Sequence, residues 1–387
     1  MSTNLKNLEK ALKETYMPLI NNMVGTETSA FLTKIKKEKL ESDKVVSAAP
    51  IGLLGSFGMS SEGVNTPGSG NRIWERFTAT AKDMYSNLEI SNKSILLTGE
   101  KGSMANGIKD LMKAAYEEIA FNTERQLFGD GTGKLATIAT VSGNTIVVDS
   151  TAIIREGMTV DIVKKGASTV AEANKQKRII AIDHETNTVH LDDAGTAAGE
   201  DYITVQNSLN RELTGLGAVF NDNIATIYGV SKAENPILKP LRDTTSNITD
   251  EFIRHNLMKA KRQRGADIDM LLCGDEMFAQ YSSYLDEKRE KARTMDLEGG
   301  FKAISFLLDN KEIAVLSNQF VPTNKMWCVD TKEILLKQTE WGFADTNTGG
   351  IFTLIPDKSV YRALMANYAE IIVKRPGSCV ELTYNNA

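Results

Sequence analysis

The stretch that decides the fold is residues 107–138, GIKDLMKAAYEEIAFNTERQLFGDGTGKLATI. Its first part repeats apolar residues every three or four positions, which is the spacing of one buried helix face. The spacing predicts a helix from Ser103 to about Phe128. At 1.5 Å per residue such a helix is about 38 Å long, which makes it a rigid spine for the elements around it.

The glycine-rich loop after this helix has the composition of a phosphate or metal site but the spacing of neither. A P-loop reads Gly-x-x-x-x-Gly-Lys-Ser/Thr, because backbone N–H groups wrap the phosphates and the hydroxyl binds magnesium. Here Phe128 stands at the first glycine position and Leu135 at the hydroxyl position. The loop also lacks the alternating ligands and terminal glutamate of an EF-hand. We therefore expect a structural turn that reverses the chain, formed by Gly129, Asp130, Gly131 and Gly133.

The bulk properties are those of a soluble globular protein. The chain has 387 residues, of which 41% are hydrophobic and 25% charged, and its net charge is −5. This length favours two domains or one domain with extensions, and the charge gives no sign of a dedicated nucleic-acid surface. The N-terminal segment lacks the apolar region of a signal peptide, and no apolar run is long enough to cross a bilayer. We expect synthesis in a cytoplasm and no membrane contact.

Downstream of the helix the periodicity changes to that of β-strands. Residues 138–206 contain six short strand-like runs separated by turn residues, which predict a small barrel or sandwich inserted into the larger fold. From residue 207 helices and strands mix, beginning with a helix capped by Thr249 or Asp250. An α+β core of two or three layers follows from this order.

The cysteines and the later elements fit this core. Cys273, Cys328 and Cys379 are far apart in apolar strand-like runs, so we expect them to be reduced and buried. The first downstream helix should end at Gly265, and a second helix should begin at Asp275.

Two segments near the N-terminus have no local partner. Residues 50–72, rich in glycine, serine and proline, lead into the strand-like run IWERFTATAKDMYSNLEI and predict a long two-stranded ribbon with a flexible rim. An isolated ribbon is only marginally stable in water. The amphipathic helix predicted over residues 1–17 either folds back or lies on another subunit, and residues 34–44 form a charged, solvated stretch.

Self-assembly is the economical explanation for these segments, because a monomer cannot cover the surfaces of the arm, the ribbon and the spine. The side chains that we expect at contacts between subunits are Leu5, Leu8, Leu12 and Tyr16 in the arm, and Phe57, Arg72, Trp74, Arg76 and Phe77 in the ribbon.

No catalytic or metal-binding constellation stands out, and we expect no cofactor and no metal. His184 and His190 could face each other across a hairpin, but a zinc site needs more ligands, so exposed hairpin histidines are the preferred interpretation. His255 has no Cys or Ser obviously paired with it. The 50 acidic residues offer many accidental pairs, none with a distinctive apolar context.

The basic run Lys259-Ala260-Lys261-Arg262-Gln263-Arg264 is the best candidate for nucleic-acid contact. It lies at a predicted helix C-terminus, where cations are favourable in any case. No aromatic residue is interleaved with it, so stacking on single strands is unsupported. Phosphate contact and a solvated or subunit-facing helix end both stay open, and the second is preferred.

The order of elements resembles that of the major capsid proteins of tailed bacteriophages with the Hong Kong 97-type fold, which encapsulin shells also use. The likeness is carried by NLEISNKSILLTG, by residues 107–138, by ATIYGVSKAENP and by TMDLEGGFKAISFLLDNKEIAVL. Its sharpest parts are GDGTGKLA after the spine helix and MDLxGGFK before a hairpin.

The resemblance implies an α+β capsid fold with six parts. These are an N-terminal arm (1–49), an extended E-loop over the adjacent subunit (50–101), the spine helix of a peripheral domain (102–137), an inserted β-rich subdomain (138–206), an axial domain with peripheral-domain strands (207–350), and C-terminal strands that return to the junction of the two domains (351–387).

It also implies a shell protein without catalysis, assembled in the bacterial host cytoplasm into pentamers and hexamers around double-stranded DNA that is not bound sequence-specifically. Its partners would be a scaffolding protein, a portal and a decoration protein. Some relatives carry a removable N-terminal scaffolding segment; here the arm begins near Met1, which favours a separate scaffolding protein or a chain already lacking the segment. No lysine–asparagine pair is singled out for crosslinking. An encapsulin-like nanocompartment shell and a soluble α+β enzyme are the alternatives.

Overall fold

The computed structural model describes residues 13–14, 17–18, 21, 29–50, 54–63, 65–71, 74–93, 103–287, 294–297, 300–309, 311–344, 351–356 and 358–385. Most of the predicted arm helix lies outside the described residues, and so do Leu5, Leu8, Leu12 and Tyr16. Arg72 of the ribbon lies outside them as well.

The spine helix has the predicted bounds. It is labelled α2 (Ser103–Phe128), and the short helix labelled α1 (Ala30–Lys34) precedes it. Met112, Ala115 and Ile119 on one face of α2 are buried in the largest core cluster. The opposite face carries mostly charged residues, as the three-and-four spacing predicts.

A six-stranded sheet packs against this spine. Its strands are β1 (Lys36–Lys39), β19 (Ile334–Gln338), β22 (Val360–Val373), β20 (Gly342–Phe343), β21 (Phe352–Leu354) and β4 (Lys82–Ser91). The long strand β22 is the centre, since β4, β19, β20 and β21 all pair with it in antiparallel fashion. Met84 and Leu88 of β4 share the buried cluster of the spine helix.

The ribbon is a separate two-stranded sheet of β2 (Lys44–Pro50) and β3 (Trp74–Thr80). Its pairing corrects the sequence interpretation that the ribbon began at residue 50, because β2 already supplies half of it. The charged stretch 34–44 is largely exposed, as predicted, although residues 36–39 also form an edge strand parallel to β19. The charged side chains of β1 suit an edge strand, because they discourage pairing with a further chain.

The inserted segment is a closed barrel, which decides between the two predicted architectures. Its strands are β5 (Lys134–Ser142), β6 (Thr145–Val148), β7 (Thr159–Val163), β8 (Lys177–Asp183), β9 (Thr188–Leu191) and β10 (Tyr202–Val205). Hydrogen-bonded neighbours run β10-β5-β6-β9-β8-β7 around the barrel. Ile146, Ile162 and Ile203 fill its own core cluster, so the barrel is a folded unit within the chain.

The second large sheet has seven strands. In spatial order they are β13 (Leu241–Thr245), β23 (Val380–Tyr384), β18 (Lys325–Val329), β14 (Met270–Cys273), β17 (Lys311–Ser317), β16 (Lys302–Leu308) and β15 (Thr294–Asp296). The remaining elements are α3 (Leu216–Phe220), β11 (Thr226–Ile227), β12 (Val230–Ser231), α4 (Asp250–Arg264) and α5 (Asp275–Glu287), with short 3-10 turns at Glu172–Asn174, Pro236–Leu238, Thr331–Glu333 and Pro376–Ser378.

Successive side chains of strand β14 point to opposite faces of the sheet, and both faces are buried. Leu271 and Cys273 join the cluster formed with α4 and α5, whereas Met270 and Leu272 join the cluster of the spine helix. One face of the sheet therefore packs on α4 and α5, and the other packs on the core cluster that includes the spine helix. Thr249 caps α4 and Gly265 ends it at a φ of 61°, both as predicted.

The cysteines are free and buried, which confirms their prediction. Burial raises the pKa of the Cys379 thiol to about 12, so this group stays protonated. No helix in the described ranges combines the length and the apolar character needed to span a membrane.

Candidate assembly surface

The glycine turn after the spine helix joins three parts of the chain. Gly131 and Gly133 have φ angles of 85° and 78°, which favour glycine, whereas Gly129 has no positive φ. The Asp130 Oδ1 atom accepts a hydrogen bond from the Thr132 N–H at 3.0 Å, and Asp130 Oδ2 accepts one from the Asn221 amide at 3.2 Å. The turn thus leads from the spine helix into β5 while holding the segment before β11.

A buried ion pair fixes the same junction. The guanidinium of Arg125 meets the Glu212 carboxylate through two bonds of 2.8 Å and 2.5 Å, with side-chain exposures of 4% and 3%. Such a bidentate pair is strong and directional, and it would leave a buried charge if one partner were removed. Gly215 lies so close to the helix end that a Cβ there would stand 2.5 Å from the carbonyl oxygens of Gln126 and Leu127. The chain leaving the barrel is therefore locked onto the spine helix.

A cleft of about 500 Å³ beside the turn does not have the chemistry of a nucleotide site. Arg125, Arg242 and Lys325 line it, and each is already paired with a carboxylate: Arg125 with Glu212, and the other two with Glu381. Lys134, the lysine of the Gly-Lys pair, lies over the ring of Tyr202 at 6.0 Å. These pairings favour the structural interpretation of the loop.

Tyr228 anchors the ribbon to this junction. It stands at the turn between β11 and β12 with a φ of 50°, followed by Gly229 at 82°. Its ring packs on Phe77 of β3 at 5.5 Å, and its carbonyl accepts a bond from the Thr78 N–H at 2.9 Å. Its hydroxyl donates to the Thr214 carbonyl at 3.3 Å and accepts from the Val373 N–H at 3.1 Å.

Large apolar side chains are exposed on the ribbon and in the loop that connects its two strands. Trp74 is 53% exposed, and Phe57 and Met59 at the tip are 91% and 92% exposed. Arg76 is also exposed and shares the outward face with Trp74, because alternate residues of a strand point to the same side. Phe77 points inward and is fully buried in its own chain, so the subunit-contact surface that we expected does not include its ring.

The described parts of the arm contact their own chain. The Asn21 amide donates to the Trp341 carbonyl at 3.0 Å, and the Trp341 N–H returns a bond of 2.8 Å. Phe31 is 1% exposed and packs against Phe128 at the end of the spine helix, with ring centroids 5.3 Å apart. Asn21 and Phe31 therefore fold back onto their own chain, whereas most of the helix predicted over residues 1–17, for which the two arrangements were given, lies outside the described residues.

The histidines do not face each other as the sequence allowed. His190 pairs in register with Thr145 and Ala181, and its ring lies 3.0 Å from the Thr145 hydroxyl. His184 lies instead beside the Thr151 hydroxyl at 3.0 Å. Within the described ranges no group of three or more His, Cys, Asp or Glu side chains could hold a metal ion.

A buried carboxyl group, Glu370 on β22, was missed from the sequence. It is 0% exposed and accepts bonds from the N–H groups of Thr214 at 2.9 Å and Ile371 at 3.1 Å, while its Oε2 atom has no partner among the described residues. Burial raises the pKa of Glu370 to about 7, and Lys82 opposes this shift. The sequence signal was a glutamate within the apolar run YAEIIV.

We expect the Glu370→Gln variant to remove part of the pH dependence of subunit stability. The pKa rises from 4.5 to about 7 on folding, so the folded chain binds more protons in this range and wild-type stability falls as pH rises from 4.5 to 7. At about 1.4 kcal/mol per pKa unit, the variant should gain about 3 kcal/mol relative to wild type between pH 4.5 and pH 8.

Urea unfolding of dissociated subunits across this pH range measures the difference. Glu118→Gln is the matched control, since that carboxylate is exposed on the spine helix. A stability difference between Glu370→Gln and wild type that stays constant with pH would contradict the prediction.

The comparisons with known proteins bear on the fold. The capsid asymmetric unit of cyanophage A-1(L) is similar with a TM-score of 0.52 and 10% sequence identity, covering 94% of each chain. The holo-SrpI encapsulin complex from Synechococcus elongatus PCC 7942 and the capsid of a native GTA particle each match at a TM-score of 0.49 and 8% identity, covering 92% of this chain and 90% of theirs. No protein-family model and no curated protein sequence matches the chain. The chain has the α+β Hong Kong 97-type fold, as its order of elements predicted.

Proposed function

We propose that this chain is the major capsid protein of a tailed bacteriophage. Copies of it assemble into pentamers and hexamers that close an icosahedral shell around double-stranded DNA, and the protein catalyses no reaction. The observation that carries the proposal is the ribbon with its bare apolar tip, on a chain that shares its fold with a cyanophage capsid protein.

The physical reason is that the ribbon needs a surface to rest on. Two strands alone are marginal in water, and this ribbon packs on its own chain through Val45, Ala49 and Phe77, while the loop that connects its strands leaves Phe57 and Met59 exposed. Phe57 and Met59 would each be stabilised by roughly 1.5–3 kcal/mol on burial, which a neighbouring subunit provides. The ribbon of one subunit would lie on a different surface of its neighbour. Such a contact is heterologous, or head-to-tail, and contacts of this kind generate rings.

The remaining features fit a structural subunit. The three cysteines are free, buried thiols. In the cleft beside the glycine turn, Arg125, Arg242 and Lys325 are paired with carboxylates. The mild negative charge is compatible with a genome driven in by a motor, because such a shell needs no adhesive basic lining. Scaffolding, portal and decoration proteins are the further partners of this proposal, and the bacterial cytoplasm is the place of assembly.

Electron microscopy of the purified protein, combined with nuclease treatment, tests the function. We expect hollow particles of megadalton mass, and nuclease-protected DNA inside particles made during infection. Particles that hold protein and never DNA would indicate a nanocompartment shell. A small oligomer with no particle form would contradict the proposal and favour a soluble enzyme.

A further inference from the structure

The outer face of α4 carries three exposed cations, with the exposed Met258 between them and the exposed Glu251 three residues before Arg254. The inner face of this helix is buried through Ile253, Leu257 and Ala260. Arg254, Lys261 and Arg262 are exposed on the other side. At 100° per residue these three lie within about 100° of arc and span about 12 Å along the axis, so they form one surface, the α4 stripe.

Most of this charge is not neutralised within the chain. Lys261 pairs with Asp309 at 3.0 Å, but the two side chains are 62% and 53% exposed, and such a pair is weak. Arg254 and Arg262 have no ion-pair partner in the part of the chain that the structure describes. The guanidinium of Arg254 lies 6.0 Å from the Phe306 ring, and the residue is exposed.

The helix dipole does not account for the stripe. Cations are favourable within the last turn of a helix, where Lys261 and Arg262 lie. Arg254 precedes the last turn by about two turns, beyond the reach of that effect. On a chain with a net charge of −5, the α4 stripe is a local reversal of sign.

We propose that the α4 stripe contacts the phosphate backbone of double-stranded DNA. The inference rests on the proposed function, since a shell around DNA brings this polyanion to one of its faces. Guanidinium forks bind phosphate oxygens through two parallel bonds, and three cations over about 12 Å face several phosphates of a duplex. The stripe presents no aromatic ring for base stacking, so the contact is independent of sequence and favours duplex over single strand.

The test is binding of a fluorescent 30-base-pair DNA to dissociated subunits over a range of salt concentrations. The stripe variant is Arg254→Gln/Lys261→Gln/Arg262→Gln, because glutamine keeps helix propensity while removing charge. The control is Lys36→Gln/Lys113→Gln/Lys165→Gln, whose lysine side chains are 60%, 73% and 66% exposed on other elements. Thermal unfolding checks that both variants fold.

We expect the slope of log K against log salt to fall by about 2–3 in the stripe variant, since each lost phosphate contact removes about 0.9. Its affinity in low salt should fall on the order of 10–100-fold, and the control should stay within about threefold of wild type. Undetectable wild-type binding, equal losses in both variants or unchanged affinity in the stripe variant would each overturn the proposal.

Particle formation by the same variants distinguishes failure of the DNA contact from failure of the shell function. A stripe variant that keeps DNA affinity but forms no particles would assign the stripe to a contact between subunits and overturn the DNA contact. If wild type forms no particles while the stripe variant still loses DNA affinity, the shell function fails and the DNA contact stands.

Discussion

Replacing Gly133 with valine is expected to destabilise the subunit by about 2–5 kcal/mol, which is enough to prevent folding of a marginally stable domain. Gly133 has a φ of 78°, and a Cβ there would stand 2.6 Å from the Ser208 carbonyl oxygen. That carbonyl cannot move away freely, because the next turn is tied back to the loop by the bond from the Asn210 N–H to the Thr132 carbonyl at 2.9 Å. The backbone strain at a positive φ and the steric overlap with the Ser208 carbonyl therefore both lower the stability of the variant. Urea unfolding of dissociated subunits measures the effect.

Gly143 provides the matched control for this substitution. Its φ is 59°, and a Cβ there would meet nothing within 4 Å. Valine at this position should cost only the conformational strain, about 1–2 kcal/mol. Equal costs at the two positions would contradict the close approach as the reason for Gly133. A Gly133→Val subunit that kept its stability but lost nucleotide affinity would reverse the structural interpretation of the turn.

The elements predicted with the right bounds are those with a strong local pattern. The spine helix ends at Phe128 because apolar spacing and glycine position coincide there. The six barrel strands likewise follow a period of two with turn residues between them. In each case the signal lies within a few residues of the element itself.

The ribbon was only partly predicted, because strand partners are chosen over long distances. Residues 74–91 read as continuous strand-like alternation, yet β3 pairs with β2 and β4 pairs with β22, more than 250 residues away in sequence. The alternation of apolar and polar residues predicts that a strand is present, but it does not predict which strand pairs with it. The parallel pairing of β1 with β19 is invisible for the same reason.

The junction residues could be found only in part from the sequence. The glycines of the turn are evident, but Gly129 differs from Gly131 and Gly133 in needing no positive φ. Tyr228 gave no signal as an anchor, because its role depends on a tertiary contact with Val373, 145 residues away in sequence. Glu370 did give one, since a carboxylate in an apolar run requires a buried donor or a raised pKa.

Deleting residues 56–69, so that Gly55 is joined to Gly70, is expected to leave the subunit folded and to abolish particle formation. The two ends already lie together, since a Cβ on Gly70 would stand 3.0 Å from the Gly55 carbonyl carbon. Phe57 and Met59 have almost their whole surface exposed, so their removal should change subunit stability by less than about 1 kcal/mol. Unfolding curves and negative-stain particle counts measure the two effects.

A point variant separates the apolar contacts from the length of the loop. Phe57→Ser/Met59→Ser keeps the backbone and should also reduce particle yield, because about 3–6 kcal/mol of burial is lost at every copy of the contact. Ile180→Ser is the control, since Ile180 is an apolar side chain on the barrel that is 62% exposed. Normal particle yield from the deletion would remove the ribbon from the assembly contacts. Because each contact is repeated at every subunit, a loss that is modest for one pair should prevent closure of the whole shell.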